Sequence, residues 1–208
     1  MIKTIFFDCD GVLTLNEDGY ALMSQELAKL SGVEYLTIMD ALTNYRHDLA
    51  LGDLEFEQCW GEFCSKTWVE VSLETFFDDV VSQLSKNEEM FEIARQLKKQ
   101  GFGLGIITNN PRRRFDVISD LRWLSHTFET IALPSDVGSL KSGKEIFEFA
   151  LKEAGCSAEE SLFIDNKEKN LDIPKQLWMH TYHFDTYLSD INALKTFLQT
   201  QWINVNQA

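Results

Sequence analysis

The sequence predicts an α/β fold in which an open parallel β-sheet forms the core and a helical segment is inserted after the first strand. Three observations support this prediction. Short apolar runs each stop at a polar residue, helix-like segments alternate with those runs, and the long segment 15–86 contains no comparable run. Alternating strands and helices are typical of a parallel sheet whose strands are joined by right-handed crossovers.

Five apolar runs are the predicted strands. They are too short for helices, and the three strongest are rich in Ile or Phe, as buried strands of a parallel sheet are. In chain order the runs are Ile2–Phe7, Leu104–Ile107, Phe128–Leu133, Leu162–Ile164 and His180–Phe184. The third and the fifth are the weaker two.

Three helices are predicted between these strands. Residues Glu88–Gln100 carry apolar side chains at helical spacing, and Gly101 provides the stop. Pro111 is expected at the first position of the next helix, where a missing N–H group is tolerated. Ser142–Ala154 has one apolar face and ends before Gly155.

The segment 15–86 is rich in helix formers and in aromatic residues. It is predicted to be a helical cap domain inserted after strand 1, so that residues 1–14 and 87–208 form the α/β core. A small helical domain needs large apolar side chains for its own core. The aromatic residues expected there are Tyr20, Tyr35, Tyr45, Phe56, Trp60, Phe63, Trp68, Phe76 and Phe77.

The charge of the chain excludes some classes of partner. With 33 acidic and 19 basic residues the net charge is −14, which disfavours nucleic acids and anionic membranes because both are negatively charged. A small phosphorylated substrate remains compatible, since a local cation can outweigh a screened global field. The chain shows no signal-peptide pattern, no apolar run of about 20 residues and no Cys-x-x-Cys pair, so a cytoplasmic protein with reduced thiols is expected.

Polar residues at the ends of the predicted strands indicate a common site. Asp8, Thr108 and Asp165 each follow a strand, and Lys141 lies in a loop that opens a helix at the same edge of the sheet. Ligands of open parallel sheets bind outside the carboxyl ends of the strands. These four residues, far apart in sequence, are therefore predicted to converge on one pocket.

The first of these positions carries two carboxylates, Asp8 and Asp10, which share one face if the backbone stays extended. Two close carboxylates repel each other, so one pKa rises, as suits one nucleophile and one general acid. A divalent cation of the Mg²⁺ type would relieve the remaining repulsion. A solvated acidic turn explains Asp8-Cys9-Asp10-Gly11 equally well when the motif is taken alone. Cys9 points to the other face and is expected to be a packed thiol.

Together the motifs resemble those of the haloacid dehalogenase-like hydrolase superfamily, in the phosphatase branch with a helical cap inserted after the first motif. The resemblance implies a Rossmann-like parallel sheet core with a helical cap domain. The four matching motifs are Phe6–Leu13, Ile106–Asn110, Ser135–Lys141 followed by Ile146-Phe147, and Leu162–Asn166 with Asn170.

The resemblance implies a role for each catalytic position. Asp8 attacks phosphorus and becomes an aspartyl-phosphate, while Asp10 protonates the leaving group and then activates water. Thr108 and the amide of Asn109 hold the phosphoryl oxygens, and Lys141 neutralises charge. Positioning and charge neutralisation are what phosphoryl transfer requires.

A Mg²⁺ ion is the implied cofactor, bound by Asp8, by the backbone carbonyl of Asp10 and by Asp165. The fourth motif often carries a second acidic residue, where this chain has Asn166. Asn keeps an oxygen that could hold a metal-bound water but loses a charge, so weaker metal affinity is expected.

The third motif also departs from the family, because Ser142-Gly143-Lys144 stands where Pro usually follows the lysine. A looser loop is expected, and Lys144 becomes a rival for the role of Lys141. Lys141 is favoured because its spacing from Gly138 and from Ile146 fits the family pattern.

Arg112, Arg113 and Arg114 follow the second motif at the start of a helix, where the helix dipole disfavours cations. Contact with a substrate phosphate is one interpretation. Solvated surface residues are the favoured one, because charged side chains are usually exposed.

The function that follows is a Mg²⁺-dependent phosphomonoester hydrolase acting on a small phosphorylated metabolite, with a cap that closes during turnover. A sugar-phosphate phosphomutase would use the same core residues. A catalytically weak member that acts as a binding or regulatory protein is the non-enzymatic alternative, suggested by the two departures. A 2-haloacid dehalogenase is less favoured, because that chemistry needs no acid at Asp10.

Overall fold

A computed structural model describes residues 1–120, 124, 126–188 and 190–205, and its centre is a five-stranded parallel sheet. The strand order is β3-β2-β1-β4-β5, so the first strand of the chain is the middle strand of the sheet. This architecture confirms the predicted fold class and all five strands. Their bounds are Thr4–Phe7, Gly103–Ile107, Thr130–Ala132, Ser161–Asp165 and His180–His183.

Helices cover both faces of the sheet, because successive side chains of a strand point to opposite faces. Ile5 and Phe7 of β1 belong to one apolar cluster, which also contains side chains from the helical segments 90–97, 115–118 and 191–198. Phe6 belongs to a second cluster with Ile146 and Phe147. The core helices are α5 (Glu88–Lys99), α6 (Arg112–Asp120), α7 (Pro134–Val137), α8 (Glu145–Ala154), α9 (Asp172–Gln176) and α10 (Ile191–Thr200).

Two of the predicted helices begin later than expected. Helix α6 begins at Arg112, and Pro111 stands just before it, accepting the first helical hydrogen bond from Phe115. Helix α8 begins at Glu145, because the preceding residues form a turn in which the Gly143 N–H donates to Leu140 O at 2.9 Å.

Four helices lie between β1 and α5 and share an apolar cluster of their own. Their bounds are α1 (Gly19–Ser31), α2 (Tyr35–Leu51), α3 (Phe56–Thr67) and α4 (Leu73–Ser82). Trp60 stacks on Phe63 and Phe76, with ring centroids 5.3 and 5.0 Å apart. Trp68 does not join this core, against expectation. It ends α3 in a left-handed conformation, and 85% of its surface is exposed.

The segments that lead into and out of these four helices run side by side. Leu15 N–H donates to Ser85 O at 2.7 Å, and Asn87 N–H donates to Leu13 O at 2.9 Å. The Asn87 side chain adds a bond to Val12 O at 3.0 Å. The division into a core and a cap remains a prediction, but the helical segment and the sheet are joined by two paired connections. Among the described helices none has the length and apolar character needed to cross a bilayer.

We expect Gly105→Ala to destabilise the protein, because a methyl group in the middle of β2 has no room. An ideal Cβ there would lie 2.6 Å from Cδ1 of Phe6 and 3.0 Å from the carbonyl oxygen of Thr130. Overpacking of this kind lowers the free energy of unfolding by about 1–3 kcal/mol. Urea denaturation measures the change, and Gly61→Ala is the control, because its Cβ meets no atom within 4 Å. An unchanged midpoint for Gly105→Ala would contradict the tight packing of β1 against β2.

Candidate active site

Asp8 lies at the carboxyl end of the central strand β1. Its N–H donates to Ile164 O at 2.8 Å, so the parallel pairing with β4 continues to this residue. The side chain is buried, and its Oδ1 accepts from the backbone N–H of Cys9 at 2.7 Å. Of the two carboxylate oxygens, only Oδ1 has partners among the described residues, which leaves Oδ2 for chemistry. Cys9 packs in the apolar core, as predicted, and burial raises the pKa of its thiol.

Lys141 joins the ends of two neighbouring strands. Its Nζ lies 2.7 Å from Asp8 Oδ1 and 2.7 Å from Asp165 Oδ2, and the whole residue is 1% exposed. Burial opposes its charge, but Asp165 and Asp8 raise the pKa of Lys141 above its usual range. The loop is held as well, since Lys141 N–H donates to Asn109 Oδ1 at 2.9 Å, so it is not the loose loop expected from the missing proline.

Lys144 lies elsewhere. Its side chain is 60% exposed and pairs with Glu148 one helical turn further on, at 2.9 Å. Of the two lysines considered for contact with Asp8, the structure therefore brings only Lys141 into the site.

Burial and neighbouring charges set the pKa of Asp8. Burial and the nearby Asp165 carboxylate raise it, while Lys141 lowers it, and the balance raises the pKa of Asp8 to about 7. A carboxyl group whose pKa is shifted this far is typical of a functional site, where burial and like charges are often combined.

The loop after β2 brings three consecutive polar residues to the site. Thr108 is buried, and its Oγ1 accepts bonds from both the backbone and the side-chain nitrogen of Asn110, at 3.3 and 2.9 Å. Asn109 is half-buried beside the Lys141 loop. Thr108 and Asn109 line the same cavity as Asp8.

Asp10 is held by an arginine, and this contact corrects the interpretation of the Arg112–Arg114 run. Arg112 and Arg113 are about two-fifths exposed, as expected. Arg114 is 1% exposed, and its Nη1 and Nη2 each lie 2.8 Å from an oxygen of Asp10. Arg114 lies in the first turn of α6, where it contacts Asn110 of the loop just before the helix.

Asp165 lies behind the cavity, with no exposed surface. Its Oδ1 accepts from Lys167 N–H at 2.7 Å, and Asn170 Nδ2 lies 3.1 Å from both carboxylate oxygens. Four donated bonds, one of them from Lys141, therefore surround this carboxylate and fix its orientation.

The residues present suit a Mg²⁺ ion. Asp8 and Asp165 supply carboxylates and Asp10 a backbone carbonyl, and Mg²⁺ is bound by such oxygens with several waters. In the described part of the chain no three acidic, His or Cys side chains form a metal cluster, so water must complete the shell. The Oδ1 atom of Asn166 is buried without a hydrogen-bond partner among the described residues, which leaves it free for a metal-bound water. Repulsion between Asp8 and Asp165 also favours a cation.

Cations surround the mouth of the cavity, which has a volume of about 70 Å³. Asp18, at the start of α1, pairs with Lys167 at 2.7 Å and with Arg46 of α2 at 3.4 Å. Burial opposes its charge, but these partners lower the pKa of Asp18 to about 2. The lining residues are Asp8, Asp10, Asp18, Gly19, Tyr20, Arg46, Thr108, Asn109, Asn110, Lys141, Lys167, Lys169 and Asn170.

Sequence reasoning missed the residues contributed from outside the motifs, chiefly Arg114, Lys167, Asp18 and Arg46. Arg114 is not distinguished in the sequence from its neighbours Arg112 and Arg113. No local pattern marks Arg46 either, because its position at the cavity depends on how α2 packs against other helices.

Comparisons with known proteins identify the family of this chain. Residues 2–175 match the family model of the haloacid dehalogenase-like hydrolases. A sesquiterpene phosphatase of Aspergillus oryzae is 25% identical over 145 residues, which are 69% of this chain and 74% of that protein. Bifunctional epoxide hydrolase 2 of Rattus norvegicus is 26% identical over 97% of this chain, but the match spans only 40% of its own length.

Solved structures share the fold. A predicted HAD-like hydrolase of Porphyromonas gingivalis is 21% identical with a TM-score of 0.72, covering 96% of this chain and 98% of that one. A HAD-family enzyme of Bacteroides thetaiotaomicron, solved as an Asp-to-Ala mutant with magnesium and inorganic phosphate, is 18% identical with a TM-score of 0.75. It covers 93% of this chain and 99% of that one. On the match over residues 2–175, this chain belongs to the haloacid dehalogenase-like hydrolase family and is an enzyme of that class.

Proposed function

We propose that this hydrolase is a Mg²⁺-dependent phosphomonoester phosphatase that works through an aspartyl-phosphate on Asp8. The observation that carries the proposal is the convergence of Asp8, Asp10, Thr108, Asn109 and Lys141 on one cavity. The cavity thus combines a nucleophile, a second carboxylate and phosphate-binding donors, which are the parts that phosphoryl transfer requires.

In the first step Oδ2 of Asp8 attacks phosphorus and the bond to the leaving oxygen breaks. Asp10 supplies the proton that this oxygen takes up. Lys141 holds the other oxygen of Asp8, so the nucleophile cannot rotate away from the substrate. The hydroxyl of Thr108 and the backbone amide of Asn109 donate to the phosphoryl oxygens, on which negative charge is spread.

In the second step a water attacks phosphorus and gives a proton to Asp10. The bond between phosphorus and Asp8 breaks, which releases inorganic phosphate and restores both carboxyl groups to their starting states. Asp10 thus acts as a general acid in the first step and as a general base in the second.

Asp8, the backbone carbonyl of Asp10, and Asp165 are the residues that would hold Mg²⁺, and Asp165 would exchange one of its four hydrogen bonds for the ion. When bound, the ion would neutralise charge on the phosphoryl oxygens and relieve the repulsion between the two carboxylates. An enzyme of the same fold from Bacteroides thetaiotaomicron was solved with magnesium and inorganic phosphate, which supports magnesium as the cofactor proposed here.

The substrate class we propose is a small phosphorylated metabolite. Several cations at the mouth, Arg46, Lys167 and Lys169, favour an anionic ligand in a chain whose net charge is strongly negative. Residues 15–86 would act as the cap that closes over this ligand. A named phosphatase among the relatives supports hydrolysis over other reactions of the fold.

We expect hydrolysis of p-nitrophenyl phosphate to depend on Mg²⁺. A bound cation contributes several kcal/mol to transition-state stabilisation, so chelation should lower the rate by about 100-fold or more. Initial rates are measured in EDTA and then after Mg²⁺ is restored in excess, with Na⁺ at matched ionic strength as the control. Turnover that EDTA leaves unchanged would contradict the metal assignment. Absence of turnover with this ester and with a panel of sugar phosphates would contradict the phosphatase itself.

A further inference from the structure

Arg114 is a buried cation that the proposed chemistry does not yet use. It is almost fully enclosed, and its two terminal nitrogens pair with the two oxygens of Asp10 at 2.8 Å each. A fork of parallel bonds fixes the plane of a carboxylate, which a single lysine-type contact does not.

The guanidinium is itself held in place from two sides. Asn110, in the loop just before α6, accepts a hydrogen bond from Nη1. On the other side lies Gly19, the first residue of α1, where an ideal Cβ would come within 2.6 Å of Nη1 and 2.7 Å of Nη2. Only a residue without a side chain leaves room for Arg114 between α6 and α1.

Burying the Arg114–Asp10 ion pair costs free energy that a purely structural contact would not need. Nε of Arg114 is buried without a hydrogen-bond partner among the described residues. Burying an ion pair often fails to stabilise a protein compared with apolar packing, and an unpaired polar atom adds to the cost. An arrangement of this kind points to function.

The donors are unevenly shared between the two Asp10 oxygens. Oδ2 accepts from Arg114 and also from Asn110 Nδ2 at 3.1 Å, which occupies both of its lone pairs. Oδ1 accepts only from Arg114 among the described residues, so it keeps a free lone pair.

We infer that Arg114 is a positioning residue that orients Asp10 so that Oδ1 is the atom that carries the proton. This inference rests on the proposed phosphatase function. In the first step Oδ1 gives its proton to the leaving oxygen as the phosphorus–oxygen bond breaks. In the second step the same atom takes a proton from the attacking water, and Arg114 keeps its own protons throughout.

The test compares two substrates of similar shape that differ in their need for a proton. Phenolate is a poor leaving group, because phenol has a pKa of about 10, as the Tyr side chain does, whereas p-nitrophenolate leaves readily without protonation. If Arg114 orients Asp10, Arg114→Lys and Arg114→Gln lower kcat/KM for phenyl phosphate more than for p-nitrophenyl phosphate. We expect the ratio of the two to fall about 10-fold or more, within the range of general acid catalysis.

Arg114→Lys keeps the charge and loses the fork, so it separates orientation from stability. We expect it to melt near the wild-type temperature and still to show the lowered ratio. Gly19→Ala keeps every charged group but displaces the guanidinium, and it should lower the ratio in the same direction. Arg112→Gln, on the same helix but about two-fifths exposed, is the control and should leave both rates unchanged.

Two results would overturn the inference. If the variants lower both rates by the same factor, or if Arg114→Lys restores the wild-type ratio, Arg114 serves stability or charge balance only. Those results leave the proposed function standing, provided that the wild-type enzyme hydrolyses both esters. A wild-type enzyme that hydrolyses neither ester would instead contradict the proposed function, and the inference would fail with it.

Discussion

Asp8→Asn is expected to abolish phosphatase activity, with a fall in kcat of about 10⁴-fold or more. The amide has nearly the shape of the carboxylate, but it cannot attack phosphorus. Single-turnover and steady-state hydrolysis of p-nitrophenyl phosphate measure the loss. Trapping of phosphorylated protein by rapid acid quench should detect an acid-stable, hydroxylamine-sensitive acyl phosphate in the wild type and none in the variant.

The control for this prediction is Asp172→Asn. Asp172 is an exposed carboxylate shortly after the fourth motif, and it does not line the cavity. The Asp172→Asn variant should therefore hydrolyse p-nitrophenyl phosphate at the wild-type rate. If Asp8→Asn kept more than a tenth of the activity, the nucleophile would have to be another group. The proposed mechanism, in which Asp8 attacks phosphorus, would then be wrong.

Lys141→Met is expected to lose both activity and stability. The ammonium lies between the buried carboxylates of Asp8 and Asp165, and an apolar replacement leaves both without their shared cation. Breaking a buried pair by removing one partner costs about 3–5 kcal/mol. Hydrolysis should fall by about 1,000-fold, because both the phosphoryl charge and the orientation of Asp8 lose support.

The destabilisation should depend on pH. In the variant the two carboxylates repel each other, so the folded state binds protons more readily than the unfolded state does. The pKa of Asp8 is about 7 with Lys141 present and is higher still in the variant, so the stability deficit is full only at alkaline pH and shrinks as the pH falls and this carboxyl group protonates. Thermal unfolding in EDTA from pH 10 to pH 6 measures this, with the exposed Lys144→Met as the control. A deficit that stays constant with pH would show that Lys141 stabilises by packing and not by charge.

The strands of the sheet were predictable from sequence because they are short, apolar and bounded by polar residues. Sequence patterns also located α5, α6 and α8, although α6 and α8 begin later than expected, but they predicted neither the strand order nor α7, α9 and α10. A turn around Gly143 delays α8, and such turns depend on local hydrogen bonds that periodicity does not report. Trp68 shows a further limit, since composition cannot say which aromatic side chain points outward.

The residues that converge at the strand ends were predictable because a parallel sheet gathers them at one edge. The buried position of Arg114 was not predictable, because a run of three arginines is usually exposed and its partner was not known from the sequence. Its partner Asp10 is about a hundred positions away. Lys167 and Arg46 depend in the same way on contacts between distant segments, so they emerge only from the assembled fold.

The central place of β1 has a consequence for how the chain acquires its structure during synthesis. This strand is made before its two neighbours: β2 follows only after the five helices α1 to α5, and β4 comes later still. An apolar strand must therefore wait unpaired while roughly a hundred further residues leave the ribosome, because domains fold as units and β pairing of distant segments is slow. Until β2 and β4 pair with it, β1, the strand that Asp8 follows, has unpaired edges that favour aggregation. Factors that shield nascent chains should thus matter for the yield of this enzyme.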